Sequence, residues 1–256
     1  MGDLFNLTGK VAVVIGGNST LGSVMAKGLA EHGAKIAVVG RNFKTTEIVA
    51  KEIKENGHIA NAFQADISDL ETIKNVAQEI EEWAGGWDIL INAAGKNSST
   101  PFFEIAQEEW DDIMNVNLKG VAFTIQHFAK RMIEQERKGS IINISSASSD
   151  IPLSKVFTYA ASKAGINNMT QFLAREFAPY GIRVNAIVPG FFPAEQNRKI
   201  MDDARVESIM NHTPMKRFGK PEELKGATVF LASDQASGFV TGSFLRVDGG
   251  YLSMTI

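Results

Sequence analysis

Residues 13–22 read VVIGGNSTLG, and this stretch decides whether the first strand turns into a helix around a phosphate. An apolar run ends at Gly16 and Gly17, and Gly22 follows where a helix is expected to begin. Backbone N–H groups at a helix start point outward and favour an anion such as a pyrophosphate. The spacing is not G-x-G-x-x-G, and glycine-rich turns are common between strands and helices. The loop alone therefore leaves a phosphate site and a simple tight turn both open.

Short apolar runs alternate with longer amphipathic stretches along the rest of the chain. Most of the runs are apolar throughout, as in strands buried on both faces of a parallel sheet. The predicted strands are residues 11–15, 35–40, 59–66, 88–95, 140–146, 183–190 and 244–250, and the predicted helices are residues 21–32, 42–56, 69–83, 105–137, 157–179 and 221–233. This order predicts an α/β fold, a Rossmann-type doubly wound parallel sheet of about seven strands with helices on both faces. With no linker or repeat, one domain over residues 1–256 is expected.

The composition excludes several classes of protein and site. The 256 residues carry a net charge of −3, which gives no reason to expect nucleic acid or an anionic membrane as partner. The chain has no cysteine, which excludes disulfides and thiolate metal ligands, and its four histidines lack metal-ligand spacing, so no metal is expected. The first residues lack the pattern of a secretory signal, and no apolar run approaches the ~18 residues of a membrane span. A cytoplasmic location is therefore expected.

Tyr159 and Lys163 lie four residues apart in the segment YAASK, so on a helix they share one face. A phenol is a poor acid or base at neutral pH, but a nearby ammonium lowers its pKa. Such a tyrosine can exchange a proton with a substrate hydroxyl while a hydride moves to or from a nicotinamide. The bare pattern Y-x-x-x-K is common and is usually a surface pair, so its context must decide.

Other segments supply that context. Ser146 ends the run SIINISS thirteen residues before Tyr159, and Asn117 lies in NVNLKG within a predicted helix. Together with TGK, NAAG, RVNAIVPG and VDGG, in order along the chain, these segments resemble the short-chain dehydrogenase/reductase family. The resemblance covers essentially the whole chain and implies an NAD(P)-dependent oxidoreductase acting on a secondary alcohol or ketone. It therefore favours a working pyrophosphate loop at residues 13–22.

The resemblance also implies roles for four residues. Tyr159 matches the catalytic acid/base, and Lys163 matches the lysine that lowers the pKa of this tyrosine and binds the nicotinamide ribose. Ser146 matches the serine that polarises the reacting C–O group, with Ser145 as the alternative if the register slips by one. Asn117 matches the asparagine that supports a proton-relay water near the lysine.

The cofactor site implied by the resemblance extends over several loops. Its residues are Gly16, Asn18, Ser19, Thr20, Leu21, Gly22, Arg41, Asn42, Asp66, Ile67, Asn92, Ala93, Ala94, Gly95, Tyr159, Lys163, Pro189, Gly190 and Phe192. Gly40 stands where NAD-preferring relatives commonly carry Asp, and Arg41 is similar to the arginine of NADP-preferring relatives. The order G-R-[ND] also occurs in members that use NAD. NADP(H) is therefore favoured, and NAD(H) remains an alternative.

Besides residues 92–95, which read NAAG where the family usually has NNAG, three positions depart from the family pattern. Ile15 and Thr20 stand in place of the threonine and the middle glycine of T-G-x-x-x-G-x-G, and Ala194 replaces a threonine that often contacts the carboxamide. Because a β-branched residue disfavours positive φ, Thr20 is expected in ordinary helical conformation, with its hydroxyl as a candidate phosphate contact. None of the three changes affects the four catalytic positions.

Residues 191–220 interrupt the strand–helix alternation directly after a predicted strand end, where ligands of open α/β sheets bind. We interpret them as a candidate substrate lid. The lid is rich in polar and charged groups, which suits a small polyhydroxylated acid because cations bind its carboxylate, although these charges are alternatively only solvated. The candidate substrate contacts are Asn97, Ser146, Ser148, Tyr159, Gln196 and Arg198.

The end of the chain is similar to family members assigned to sugar acids, such as D-fructuronate/D-mannonate oxidoreductases and gluconate 5-dehydrogenases. Two alternatives stay open: a 3-oxoacyl-carrier-protein reductase, which needs a basic docking surface, and a non-catalytic dinucleotide-binding protein. The resemblance implies a homotetramer, or a homodimer, through the helical segments 105–137 and 157–179. Their apolar faces include Phe123, Phe128 and Ile166, which alternatively complete the core of a monomer.

Overall fold

One parallel sheet of seven strands lies at the centre of the computed structural model, which describes residues 3–192 and 203–254. The strands are β1 (Val11–Ile15), β2 (Lys35–Gly40), β3 (Ala60–Gln64), β4 (Ile89–Asn92), β5 (Gly139–Ile144), β6 (Ile182–Pro189) and β7 (Phe244–Val247). Their order across the sheet is β3-β2-β1-β4-β5-β6-β7, and every neighbouring pair is parallel. The predicted α/β architecture is confirmed.

Helices connect these strands. They are α1 (Thr20–Glu31), α2 (Phe43–Glu55), α3 (Leu70–Ala84), α4 (Gln107–Met114), α5 (Val121–Glu134), α6 (Phe157–Phe177), α7 (Asp203–His212), α8 (Leu224–Ala232) and α9 (Asp234–Ser237). No helix formed by the described residues is both long and apolar enough to span a bilayer.

The core is divided into two layers by the sheet. Val13 belongs to one cluster of buried side chains and its neighbour Val14 to the other. Because successive side chains of a strand point to opposite faces, each cluster covers one face of the sheet. The first cluster includes Phe128 of α5 and Ile166 of α6, and the second includes Met25 of α1. Helices on both faces explain why the strands are apolar runs rather than alternating ones.

The turn from β1 to α1 follows from its sequence. All five residues of β1 are buried, and the chain then turns at Gly16, which has a positive φ of 75°. Ser19 caps α1, since its Oγ accepts a hydrogen bond from the backbone nitrogen of Gly22 at 3.1 Å. Thr20 is the first residue of α1 and has no positive φ, as its β-branched side chain predicts.

The long predicted helix over residues 105–137 is not continuous. A π-helix, Asn115–Gly120, separates α4 from α5 and contains Asn117. Phe128 and Ile166 are both buried in the core, so they do not form a subunit contact, whereas Phe123 is exposed. The oligomeric state stays a prediction, as does the organisation of residues 1–256 as one domain.

The order of the strands fixes where a ligand can bind. From β1 the chain continues to β2 and β3 on one side of the sheet, and β4 to β7 extend on the other side. The carboxyl ends of β1 and β4 therefore form the topological switch point, where open α/β sheets leave a crevice.

Candidate active site

A cleft of about 460 Å³ opens at this switch point. It is lined by residues from the carboxyl ends of several strands, and most of the residues predicted for the cofactor lie in it together. These are Gly16, Asn18, Ser19, Thr20, Leu21, Arg41, Asn42, Asp66, Ile67, Ala93, Ala94, Gly95, Tyr159 and Lys163. Residues predicted from separate segments of the sequence thus converge on one groove.

The β1–α1 loop forms one wall of the cleft and leaves no room for side chains at two glycines. A methyl group on Gly16 would lie 2.5 Å from the backbone nitrogen of Ala94, and one on Gly22 would overlap the carbonyl oxygen of Gly16. The loop is also held to the sheet, because the Gly16 nitrogen donates to the Val39 carbonyl at 2.8 Å. This close packing places the cleft beside the first turn of α1, where the N–H groups of a helix favour an anion such as a phosphate.

The carboxyl end of β2 is a polar corner of the cleft. The Asn18 amide donates to Thr45 Oγ1 at 2.8 Å, and the Asn42 side chain caps α2. A Cβ atom on Gly40 would collide with the side chains of Asn18 and Thr46, so a side chain there would have to displace both. The exposed Arg41 guanidinium stands next to Gly40 and is the cation of this corner.

Asp66 lies across from Arg41, with a distance of 3.9 Å between Oδ2 and the guanidinium nitrogen Nη1. Burial opposes ionisation of this carboxyl, but hydrogen bonds from Ser68 and the charge of Arg41 outweigh it and lower the pKa of Asp66. The carboxylate accepts from the Ser68 hydroxyl at 2.6 Å and from the Ser68 nitrogen at 2.9 Å. Asp66 therefore stays ionised beside Arg41 at the edge of the cleft.

Asn117 is fully buried on the π-helix and fixes the loop that follows β4. Its amide donates to the Lys96 carbonyl at 2.8 Å and to Ser162 Oγ at 3.1 Å, and its oxygen accepts from the Lys96 nitrogen at 2.8 Å. A methyl group on Gly95 would lie 3.4 Å from Asn117 Oδ1 and 3.7 Å from Lys163 Nζ. The asparagine, the glycine and the lysine are thus immediate neighbours.

Tyr159 and Lys163 extend from the first two turns of α6 into the cleft. The Lys163 ammonium lies 5.5 Å from the centroid of the Tyr159 ring and donates to the Ile144 carbonyl at 2.7 Å. Ser146, just past the end of β5, is a hydrogen-bond partner of the Tyr159 phenol. Ser148 Oγ lies 3.0 Å from Ser146 Oγ. The structure therefore brings Ser146, Tyr159 and Lys163 together.

Ser145 has a different environment from Ser146. It is fully buried, and its hydroxyl faces the Lys163 carbonyl at 3.5 Å. Ser146, in contrast, lines the cavity beside Tyr159. The placement favours Ser146 over the alternative Ser145.

The ionisation of Tyr159 and Lys163 differs from the expectation. Burial raises the pKa of the Tyr159 phenol, and the hydrogen bond with Ser146 only partly opposes this effect. Burial also lowers the pKa of Lys163, to about 8. The sequence predicted a lowered pKa for the phenol because of the nearby lysine. The pKa of the phenol is instead raised in this structure, because desolvation by burial outweighs the hydrogen bond with Ser146.

A second cavity, of about 130 Å³, adjoins the cleft at Asn97 and Tyr159, which line both, and Ser146 lines this cavity beside Tyr159. Pro189, Gly190 and Phe192 line it, beside the carboxyl end of β6, as do Asn97 and Ser148. Four of the six predicted substrate contacts, including Ser146 and Tyr159, therefore share this cavity.

Five residues predicted for the cofactor do not line the cleft. Pro189, Gly190 and Phe192 line the adjoining cavity instead, and Gly22 and Asn92 line neither. Gly22 lies behind the β1–α1 loop, where it allows close packing against Gly16. Asn92 is buried and donates to Asn143 Oδ1 on the neighbouring strand at 2.9 Å. Both residues support the cleft from behind, and this differs from the expected direct contact.

The lid residues are only partly described. Gln196 and Arg198, predicted to contact substrate, and Ala194, at the position expected to contact the carboxamide, lie outside the described residues. The part that is described places Arg205 of α7 on the wall of the 130 Å³ cavity. The sequence singled out the lid as polar but gave no signal that distinguished Arg205 from its other charged residues. No group of three His, Asp or Glu residues within 3–192 and 203–254 is placed to hold a metal ion.

Comparisons with known proteins match this geometry over nearly the whole chain. A family model described as enoyl-(acyl carrier protein) reductase matches residues 15–252. The chain belongs to the short-chain dehydrogenase/reductase family. Its members are NAD(P)-dependent oxidoreductases.

Three relatives represent the range of activities among similar short-chain dehydrogenases. A gluconate 5-dehydrogenase from Burkholderia cenocepacia, solved with NADP and tartrate, is 35% identical with a TM-score of 0.94 over 99% of both chains. A Haemophilus influenzae protein provisionally named D-mannonate oxidoreductase, solved with NAD, is 38% identical with a TM-score of 0.92 over 98% of this chain and 97% of that one. An acetoacetyl-CoA reductase from Synechocystis is 40% identical over 96% of this chain and 97% of the relative.

Proposed function

We propose that the chain interconverts a secondary alcohol and a ketone on a small sugar acid, with NADP(H) as the favoured cofactor. The proposed catalytic residues are Asn117, Ser146, Tyr159 and Lys163. The observation that carries the proposal is the meeting of Ser146 and Tyr159 at the join between the 460 Å³ cleft and the 130 Å³ cavity. The cleft would hold the dinucleotide and the cavity would hold the substrate, so that the two reactants meet at the Tyr159 phenol.

The residues of the cleft fit a dinucleotide. One wall is a glycine loop packed so closely on Ala94 that a side chain at Gly16 would displace it, and the far corner offers Arg41, Asn18 and Asn42. The absence of a side chain at Gly40 leaves no carboxylate there to repel a 2′-phosphate. This corner favours NADP(H), although the Haemophilus influenzae relative was solved with NAD.

Each catalytic residue has a role that its surroundings support. When bound, the dinucleotide supplies or accepts the hydride. In the reducing direction the Tyr159 phenol donates its proton to the carbonyl oxygen, and the Ser146 hydroxyl donates a hydrogen bond to the same oxygen as it becomes negative. The Lys163 ammonium stabilises the phenolate left on Tyr159. Asn117 holds the Lys96 backbone, and with it the loop beside Lys163.

The ionisation of Lys163 predicts how reduction depends on pH. Its pKa of about 8 lies below the ordinary value of 10.5, so the ammonium is present below pH 8 and is lost above it. The phenol of Tyr159, with its raised pKa, keeps its proton through the same range. We therefore expect kcat/KM for carbonyl reduction to fall above an apparent pKa near 8. The variant Lys163→Met should show low activity that does not fall further over this pH range. A wild-type profile that stays level well into the alkaline range would contradict the role of Lys163.

The size and polarity of the 130 Å³ cavity support a compact polar substrate. Its described lining combines Asn97, Ser146, Ser148 and Tyr159 with apolar residues such as Leu153. A polyhydroxylated acid can bond these polar groups, whereas a long acyl chain would leave them unpaired, which is costly in a desolvated site. The similarity to the gluconate 5-dehydrogenase supports the same class of substrate.

A substrate panel tests the proposal. The purified protein, with NADPH and then NADH, is assayed by the absorbance of the reduced nicotinamide against keto sugar acids, neutral ketoses and oxoacyl thioesters. We expect the highest kcat/KM with a keto sugar acid, and a lower KM for NADPH than for NADH. In the reverse direction, aldonates should be oxidised.

One observation favours a second candidate, the reduction of an oxoacyl thioester. The relative from Synechocystis is an acetoacetyl-CoA reductase, and its identity to this chain is similar to that of the sugar-acid enzymes. Turnover of acetoacetyl thioesters, with none on hexuronates or aldonates, would replace our proposal by this candidate.

A further inference from the structure

The side chain of Arg205 reaches the substrate cavity from the lid. It lies in the first turn of α7 and is half-buried, and it lines the same 130 Å³ cavity as Ser146 and Tyr159. We propose that Arg205 binds the carboxylate of the substrate and thereby selects acids over neutral ketoses. This inference rests on the proposed function, because it assigns one residue to the recognition of the sugar acid.

The guanidinium is held in place by the loop that precedes α6. Arg205 Nη2 donates to the Ser154 carbonyl at 3.2 Å, and Nη1 donates to Ser154 Oγ at 3.3 Å. A guanidinium fixed in this way loses little further freedom when an anion binds, since its planar fork is already oriented. Ser154 therefore prepares Arg205 for a planar ligand such as a carboxylate.

The charge of Arg205 stands out within the cavity. Among the described residues that line it, no other side chain is charged, and none is a carboxylate. Arg217, a second cation of the same segment, does not line this cavity and forms two short hydrogen bonds with Glu223, at 2.6 and 2.7 Å. The cavity thus presents a positive charge beside the reacting groups, which favours an anionic substrate.

A second observation at the same cavity points to a hydroxylated ligand. The side-chain oxygen Oδ1 of Asn97 is buried and has no hydrogen-bond partner within the part of the chain that the structure describes. Asn97 lines both the cavity and the cleft, so this oxygen is close to where the two reactants meet. A buried acceptor without a partner is costly, and a substrate hydroxyl would satisfy it. A cation and a free acceptor in one small cavity fit a hydroxy acid.

The test compares an acid with its neutral counterpart on the complete protein with NADPH. The substrates are the best keto sugar acid of the panel and its methyl ester, which lacks the negative charge and is larger by one methyl group. For Arg205→Gln we expect kcat/KM for the acid to fall roughly 10- to 100-fold, mainly through KM, because hydrogen bonds to charged groups are among the stronger ones. The value for the ester should change little, so the preference for the acid is lost.

Two further variants sharpen the result. Arg205→Lys keeps the charge without the planar fork and should retain part of the preference for the acid. Arg217→Gln removes a cation from the neighbouring segment and should leave the acid-to-ester ratio at the wild-type value. Melting temperature and affinity for NADPH, measured for each variant, identify any that fold incorrectly. An acid-to-ester ratio that is unchanged in Arg205→Gln, or an equal loss on both substrates, would overturn the assignment.

Inhibition by tartrate separates this inference from the proposed function. Tartrate is a small hydroxy diacid, and it is tested as a competitive inhibitor against whichever carbonyl compound the wild-type protein reduces. If no sugar acid is turned over, the proposed function fails, but a 10-fold or larger rise in the inhibition constant of tartrate in Arg205→Gln still supports Arg205 as a carboxylate site. An inhibition constant equal in both proteins would overturn it.

Discussion

Replacing Tyr159 with phenylalanine is expected to lower kcat by about 10²- to 10⁴-fold, the contribution typical of general acid–base catalysis. The phenol lies at the join between the cleft and the substrate cavity, next to Ser146, and its raised pKa keeps the proton available for transfer to a carbonyl oxygen. Phenylalanine preserves the ring and removes only the hydroxyl. Affinity for NADPH, measured by fluorescence titration, should therefore change little, and kcat measured with the best substrate should fall steeply.

Tyr180→Phe is the matched control. Tyr180 is exposed in a short 3-10 helix, Ala178–Tyr180, beyond the carboxyl end of α6. The substitution removes the same hydroxyl as Tyr159→Phe, but outside the cleft. Its kcat should equal that of the wild type. If Tyr159→Phe retained wild-type kcat, Tyr159 could not be the proton donor, and the assignment of Ser146 and Lys163 as its partners would fail with it.

The sheet could be predicted from the sequence because its strands are buried on both faces. Residues 11–15 and 35–40 are apolar runs that end at or before glycine, and they coincide with β1 and β2. The predicted strand over residues 88–95 is too long, since β4 ends at Asn92. The next residues, Ala93 to Gly95, are small and apolar but leave the sheet to form the floor of the cleft. Apolar character alone does not distinguish a residue in a buried strand from a residue in the loop that follows it.

The site could be predicted only as a set of positions. The spacing of Tyr159 and Lys163 places them on one face of a helix, and the segments around Asn117 and Ser146 identify their partners. The break in the helix at Asn117 could not be predicted, because the π-helix depends on contacts with Lys96 and Ser162, which are distant in the sequence. The raised pKa of Tyr159 likewise follows from burial, which no local pattern encodes.

The sequence was equally limited in predicting which residue of the lid, such as Arg205, lines the substrate cavity. The sequence predicted a polar lid and named Gln196 and Arg198 as substrate contacts. Helix α7 turns back over the cavity, so that a residue farther along the chain reaches Ser154 and the wall beside Tyr159. The orientation of a helix in a lid is set by tertiary contacts, and sequence spacing gives no measure of it.

Gly16→Ala is expected to lower kcat/KM for NADPH by on the order of 10²-fold, the loss typical of a displacement of about 1 Å in a binding site. The added methyl group would lie 2.5 Å from the Ala94 nitrogen and 2.7 Å from its Cα atom, closer than real side chains approach backbone. The β1–α1 loop and the β4 loop must therefore move apart, and these loops form two walls of the cleft. Steady-state kinetics with varied NADPH measure the effect.

Gly85→Ala separates the loss of the cofactor site from simple backbone strain. Gly85 ends α3 with the same φ of 75° as Gly16, but a methyl group there would meet no atom within 4 Å. Both variants carry the cost of an alanine in the left-handed region, about 1–2 kcal/mol of folding stability, and should show lower melting temperatures. Only Gly16→Ala forces the cleft open, so only its kcat/KM should fall. Equal kinetics for the two variants would mean that the contact between Gly16 and Ala94 does not shape the cofactor site.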